Sequence, residues 1–320
     1  MSAAALENDS KACPRDPGAA VRLLKALKAQ NYQFTTPTPA THRRVIARPT
    51  MKRGRSLRDV FGWSLSFDRD LLPTAIFETL DQAGGLIHHA HGYRSAFRVS
   101  SLADDLLLHS AYPPTAEDAI FFGPDTYRFA RFLQQAIGAA PIARLIDIGA
   151  GSGAGAIAAA RTTKIAELVL ADVNRSALSM ASINIDAAGL TADYRLSDGL
   201  ADVDGDADLI IANPPFIAGD GGRTYRDGGD MHGARLSLDW ALDAAPRLTP
   251  GGRFMLYTGS AIIEGRDELK HALLEQLDAR KFTLAYEEID PDIFGGQLKA
   301  AAYADVERIA AIGAVITRRS

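Results

Sequence analysis

Apolar positions change their spacing partway along the chain. Ala20, Leu23, Leu24 and Leu27 recur at helical intervals with Arg22, Lys25 and Lys28 opposite, which predicts a short amphipathic helix that QFTTPTPATH ends. A second helix is expected from near Pro73, a favourable first-turn residue, through Ile76, Phe77 and Leu80 to Gly84 and Gly85. From Ile87 to Tyr112 short apolar runs break at Gly92 and around Ala103 to Asp105, predicting a small antiparallel meander. Helices followed by a few short strands make an accessory domain of α+β type, with a winged-helix arrangement as the expectation.

Beyond YPPTAEDAIFFGPD, which reads as an interdomain bridge, the alternation becomes regular. DTYRFARFLQQAI predicts a helix. ARLIDIG, AELVLADV, ADYRLSD, ADLIIANP and RFMLYTG follow as strands, separated by helical patterns such as SALSMASINIDAAG and ARLSLDWALDAA. After the helix RDELKHALLEQLD come two more strands, FTLAYEEI and ERIAAIGAVITRR. Strand and helix in strict alternation predict a Rossmann-like, seven-stranded, mostly parallel sheet covered on both faces. The expected division is a disordered tail over 1–17, an accessory, substrate-recognising domain over 18–115 and the sheet domain over 116–320.

Composition narrows the class. The chain has 320 residues, 47% hydrophobic, enough for a large domain and a smaller one. It contains no apolar run of bilayer length, and its first residues carry acids and no apolar core, so neither a membrane span nor a secretory leader is expected. A single cysteine, Cys13, in a polar context points to a reducing, cytoplasmic setting. Net charge is −4, yet residues 1–100 hold 15 Lys+Arg against 8 Asp+Glu. Within them Arg43, Arg44, Arg48, Lys52, Arg53 and Arg55 crowd segment 43–58, a solvated arm or a contact for RNA phosphates.

The candidate chemistry sits at strand ends. LIDIGAGSGAG puts Asp147 at the end of one strand and Gly149, Gly151, Gly153 and Gly155 in the turn that follows, where a ligand can approach backbone N–H groups at a helix N-terminus. Asp172, ending the next strand, stands where a carboxylate accepts from two ribose hydroxyls, and Asp198, ending the third, where it accepts from an adenine amino group. These three features serve nicotinamide dinucleotides and S-adenosylmethionine alike. The fourth strand separates them. DLIIANPPF ends on Asn213, Pro214, Pro215 and Phe216, where proline denies the sheet a donor and stiffens the backbone.

From about Ala116 to Ser260 the sequence resembles S-adenosylmethionine-dependent N-methyltransferases, with DIGAGSGAG like their first motif and NPPF like their catalytic tetrapeptide. YRDGGDMHGARLSLDWALDAAPRLTPGG is similar to the segment downstream of the tetrapeptide in release-factor and ribosomal-protein glutamine methyltransferases, while FFGPDTY departs from their corresponding segment. The resemblance implies S-adenosyl-L-methionine as cofactor, held by Asp147, Gly149, Gly151, Gly153, Asp172, Asn174, Asp198 and Asn213. It implies catalysis by Asn213, Pro214, Pro215 and Phe216. Asp125 and Thr126 are second-rank substrate candidates near the methyl donor, joined by Arg223 and Tyr225 in a glycine-rich segment, 219–233, expected to act as a lid.

Two acceptor classes follow: a glutamine side chain of a translation factor or ribosomal protein, or an exocyclic amine of rRNA or tRNA, guanine N2 or adenine N6. A small-molecule acceptor, an NAD-dependent oxidoreductase and a non-catalytic binding module stand as alternatives. His88, His89 and His91 are not expected to bind metal, since neighbours on a strand face opposite ways. Oligomeric state is not legible.

Overall fold

The computed structural model describes residues 13–89, 92–114, 116–218 and 228–320. They fall into two compact units, one of residues 1–127, 151–157 and 174–194, the other of 128–150, 158–173 and 195–320.

The first unit begins inside the span expected to be tail. Cys13 is buried and its thiol donates to the Ser176 carbonyl at 3.1 Å. Asp16 caps α1 (Pro17–Ala29), accepting from the Ala19 N–H, and Leu23, Leu24 and Leu27 face inward as the spacing requires. Two helices follow that periodicity does not announce, α2 (Pro39–Ile46) and α3 (Leu57–Phe61), with α4 (Thr74–Gln82) beginning after Pro73 as expected. In place of a meander stand two separate hairpins, β1 (Leu86–His89) with β2 (Gly92–Ser95) and β3 (Phe97–Leu102) with β4 (Asp105–Ser110). Ser95 causes the break: its hydroxyl accepts from the Phe97 N–H and donates to the Phe97 carbonyl, replacing ladder bonds with a local turn.

The second unit carries most of the main sheet. Its elements are α5 (Pro124–Ala136), β5 (Ile142–Ile148), α6 (Ala154–Thr162), β6 (Ile165–Asp172), α7 (Arg175–Ala187), β7 (Asp193–Leu196) and β8 (Ala207–Ala212), some shared with the first unit. Then come α8 (Arg235–Ala244), β9 (Leu248–Ile263), β10 (Arg266–Asp267), α9 (Glu268–Gln276), β11 (Phe282–Asp290) and β12 (Arg308–Arg318). Strand order is β11-β12-β9-β8-β5-β6-β7, with β10 paired to β9 beside that seven-strand path. β5 pairs parallel with β6 and β8, and β8 with β9, while β12 runs antiparallel to both neighbours. The alternation expected from sequence fails once. No helix joins β7 to β8; turns over 197–206 make that connection. Ile146, Ile210, Phe254, Leu256, Ile312 and Leu238 are among the side chains that fill the core beneath α8 and α9.

Candidate functional site at the strand ends of the second unit

DLIIANPPF is anchored at both ends. At its start, Asp208 accepts from the Ala143 and Arg144 N–H groups at 2.8 and 3.0 Å and from the Thr249 hydroxyl at 2.8 Å, tying β8 to the segments on either side. Burial alone would raise its carboxyl pKa; those three donors hold it below the ordinary value. At its far end β8 stops at Ala212, so Asn213 is the first residue past the sheet, half-buried, with Pro214 buried behind it.

Phe216 closes the corner. It is 8% exposed, and a Cβ on Gly259 of β9 would come within 2.5 Å of its ring, so glycine there is what lets the ring lie flat on the strand. Its other contact is an edge-to-face one with Phe294, centroids 5.5 Å apart. Phe294 is 37% exposed and is the aromatic surface that this corner presents most openly. Beyond the ring, the Ala218 N–H donates to the Tyr303 hydroxyl at 2.7 Å, and that hydroxyl donates to the His232 carbonyl at 3.2 Å. His232, at φ 54°, places Nδ1 3.1 Å from Glu268 and Nε2 3.1 Å from Asp305. Gly228 donates to the Ile217 carbonyl, and Gly233 approaches so closely that a Cβ would sit 2.6 Å from the Phe216 carbonyl oxygen. The downstream end of the expected lid is therefore fastened; Arg223 and Tyr225 lie outside the described residues.

The other predicted residues take up neighbouring strand ends. Asp147 is buried near the end of β5. Gly149 follows at φ 65°, its N–H donating to the Ala171 carbonyl at 2.8 Å. Asp172 ends β6, half-buried, and its carbonyl accepts from the Ser197 N–H. Asp198 lies two residues past β7 in the turn, exposed. In strand order these carriers run β7-β6-β5-β8, so Asp198, Asp172, Asp147 and Asn213 follow one another along the same edge of the sheet.

The remaining predicted residues belong to the first unit. Gly151 and Gly153 take φ 53° and 76°, backbone that glycine adopts without strain. Asn174 is the N-cap of α7: Oδ1 accepts from the Ser176 N–H and Nδ2 donates to the Asp118 carbonyl, so both ends of the amide are engaged. Asp125 and Thr126 are buried in the first turn of α5, with Thr126 Oγ1 accepting from the Gly123 N–H.

Periodicity did not reveal three further residues at the sheet edge. Trp240 of α8 lies against two of the loops: a Cβ on Gly149 would meet its ring at 2.8 Å and one on Gly199 its indole nitrogen at 3.1 Å. Val173, next to Asp172, is 58% exposed, an apolar side chain where a strand end meets water. Phe294 is the third. The sequence offers one signal, an apolar Val173 directly after the strand-ending Asp172; the contacts of Trp240 and Phe294 are long-range and leave none.

Residues 123–261 match the methyltransferase small domain family. The match favours reading the glycine turn of that segment with a methyl donor over a nicotinamide. Among curated proteins the chain is 31% identical over 193 residues to a ribosomal protein L11 methyltransferase of Symbiobacterium thermophilum, covering 56% of each. It is 31% identical over 164 residues to a release factor glutamine methyltransferase of Cereibacter sphaeroides, covering 44% of this chain and 58% of that one. It thus spans little more than half the length of these relatives. Among solved structures, Trm5b from Pyrococcus abyssi superposes with a TM-score of 0.51 at 14% identity, covering 78% of this chain and 68% of that one, a likeness of fold alone.

Proposed function

We propose that the chain is an N-methyltransferase that moves the methyl group of S-adenosylmethionine onto a planar nitrogen, with a glutamine side-chain amide of a translation factor or ribosomal protein as acceptor. The observation that carries the reading is the placement of Asn213 and Pro214 directly past β8, one strand from Asp147 and two from Asp172. The strand ends fit the donor. A half-buried carboxylate at Asp172 beside the exposed apolar face of Val173 suits a nucleoside, hydroxyls on one and base on the other. Asp147, Gly149 and Asp198 complete that edge.

When bound, S-adenosylmethionine supplies an electrophilic methyl carbon on a sulfonium. An amide nitrogen is a poor nucleophile because its lone pair is delocalised into the carbonyl. Asn213 Oδ1 and the Pro214 carbonyl are two acceptors for the two N–H hydrogens, and the proline pair, packed behind by Phe216 on Gly259, keeps them from turning. Held so, the nitrogen aims its lone pair at the methyl carbon. As the N–C bond forms the S–C bond to the sulfonium breaks and S-adenosylhomocysteine leaves; the N–H proton becomes acidic only then and passes to water, so no strong base is required beforehand.

RNA is the second reading, an exocyclic amine of rRNA or tRNA. It is favoured by Arg43, Arg44, Arg48, Lys52 and Arg55, all of which are exposed in the first unit, whereas Arg53 is paired with Asp68. Incubation with radiolabelled donor and an extract of the source cell separates the two. Label that survives ribonuclease and is released by protease supports the protein acceptor; the reverse result replaces it with RNA.

A further inference from the structure

The first unit contains a cleft that the methyl-transfer reading does not use. It encloses about 350 Å³ of atom-free space open to solvent, and the part that admits a whole water measures only about 20 Å³. By that measure the cleft has room for one or two waters, hence for a small polar group and not for a ring.

Two of its lining side chains are buried and keep nitrogens with no hydrogen-bond partner among the described residues. Arg98 is 5% exposed; its Nε–H donates to the Gly62 carbonyl at 2.9 Å, while Nη2 reaches no acceptor among the described residues. His42 is 1% exposed, and neither of its ring nitrogens meets hydrogen-bonding geometry, although the Trp63 carbonyl lies near. The imidazole is held instead by its faces, 4.0 Å from the Tyr112 ring and 5.2 Å from Trp63.

The charge balance is the unusual part. Among the described residues lining the cleft there is no Asp or Glu. The groups whose charge acts on Arg98 are the phenols of Tyr32, Tyr127 and Tyr112, and burial pushes those of Tyr32 and Tyr127 up, away from the charged form. Burial brings the guanidinium down to about 10, so it remains a cation. Burial and that same cation push His42 down to about 4 and His109 well below its ordinary value, so both imidazoles are neutral at pH 7. A buried cation without a counter-charge is a costly arrangement that folded proteins resolve by pairing.

We propose that this cleft is a binding site for a small carboxylate, with Arg98 Nη2 and a ring N–H of His42 as its two donors. A carboxylate supplies the missing negative charge and two acceptor oxygens in one plane, on a group small enough for so confined a space. The proposal is independent of which nitrogen is methylated, and its test involves no methyl transfer.

The test is thermal unfolding and calorimetry of the full chain with sodium acetate and sodium phosphate, each matched in ionic strength with sodium chloride. Acetate is expected to raise the unfolding temperature saturably in the millimolar range, and to weaken at least tenfold in Arg98→Met and in His42→Phe. Arg98→Met without ligand should be no less stable than the parent, because it removes an uncompensated charge. A parent that does not respond, so that the cleft holds water only, overturns the proposal. So does an equal response in Arg98→Met, or a response to phosphate without one to acetate. Should Arg98→Met fail to fold, His42→Phe together with the ¹⁵Nε resonance of Arg98 gives the answer: a shift on acetate addition in the parent supports the site, and an unmoved resonance refutes it.

Discussion

Polar groups around β8 and β9 and those of the Arg98 cleft are treated in opposite ways. Around β8 and β9 they are answered: half-buried Asp208 takes three donors, buried Ser237 pairs with Thr258 at 2.7 Å, and half-buried Asp267 takes the Ser260 and Tyr286 hydroxyls at 2.7 Å each. On β3 and α2, Arg98 and His42 keep buried nitrogens without hydrogen-bond partners among the described residues. The first arrangement makes a rigid scaffold whose exposed strand ends can be trusted to hold a geometry. The second leaves interaction energy unspent inside a cleft. Satisfied networks hold a fold still, and a buried group left unsatisfied calls for a partner such as a water, an ion or a ligand.

The largest effect is expected at the scaffold's tip. Asn213→Ala removes one of the two oriented acceptors and should lower kcat by about 10²–10³-fold, by analogy with loss of a single oriented polar group in other active sites, with a much smaller loss of donor affinity because Asp147 and Asp172 remain. Single-turnover kinetics check it, and normal turnover would remove the tetrapeptide from the mechanism. Next is Gly149→Ala, at a position where φ is 65° and a Cβ would lie 2.8 Å from Trp240. Backbone strain and the clash together should cost about 2–4 kcal/mol in urea unfolding. A near-neutral result would mean that α8 is free to move away, contrary to a rigid edge.

The cleft gives the smaller effect, and one of defined sign. His42 is held at about 4 in the fold against 6.5 for its ordinary value, so the unfolded chain binds more protons between those limits. Its contribution is complete above about 6.5 and is lost as pH falls towards 4, amounting to about 2 kcal/mol by pH 5. His109, lowered for the same reason, adds in the same direction. Unfolding at pH 7 and pH 5, repeated with His42→Phe, measures the difference; an unchanged slope in the variant would show that His42 is not buried neutral.

Legibility in the sequence followed the range of the interactions. Strands β5, β6 and β8 are nearly continuous apolar runs because they are covered on both faces, and the strand-end residues are found by counting from them. The basic stretch concealed α2, because Arg43 and Arg44 break its apolar period. Its one local signal was Thr38 before Pro39, a cap followed by a first-turn proline. Cys13 looked like part of a tail because its partner, Ser176, is 163 residues away. The Arg98 cleft was invisible for the same reason. Arg98 reads as one polar residue on a short strand, and only the tertiary fold shows that it has a cation's burial without an anion's company.

The central claim is that the edge formed by Asp198, Asp172, Asp147 and Asn213 is shaped for S-adenosylmethionine. Calorimetry of the full chain with S-adenosylmethionine and with NAD, for the parent and for Asp172→Ala, tests it most directly. The account predicts binding of S-adenosylmethionine that Asp172→Ala weakens by about ten- to a hundredfold, the loss of a charge-assisted hydrogen bond or two, with no heat from NAD. Heat from NAD and none from S-adenosylmethionine would contradict it.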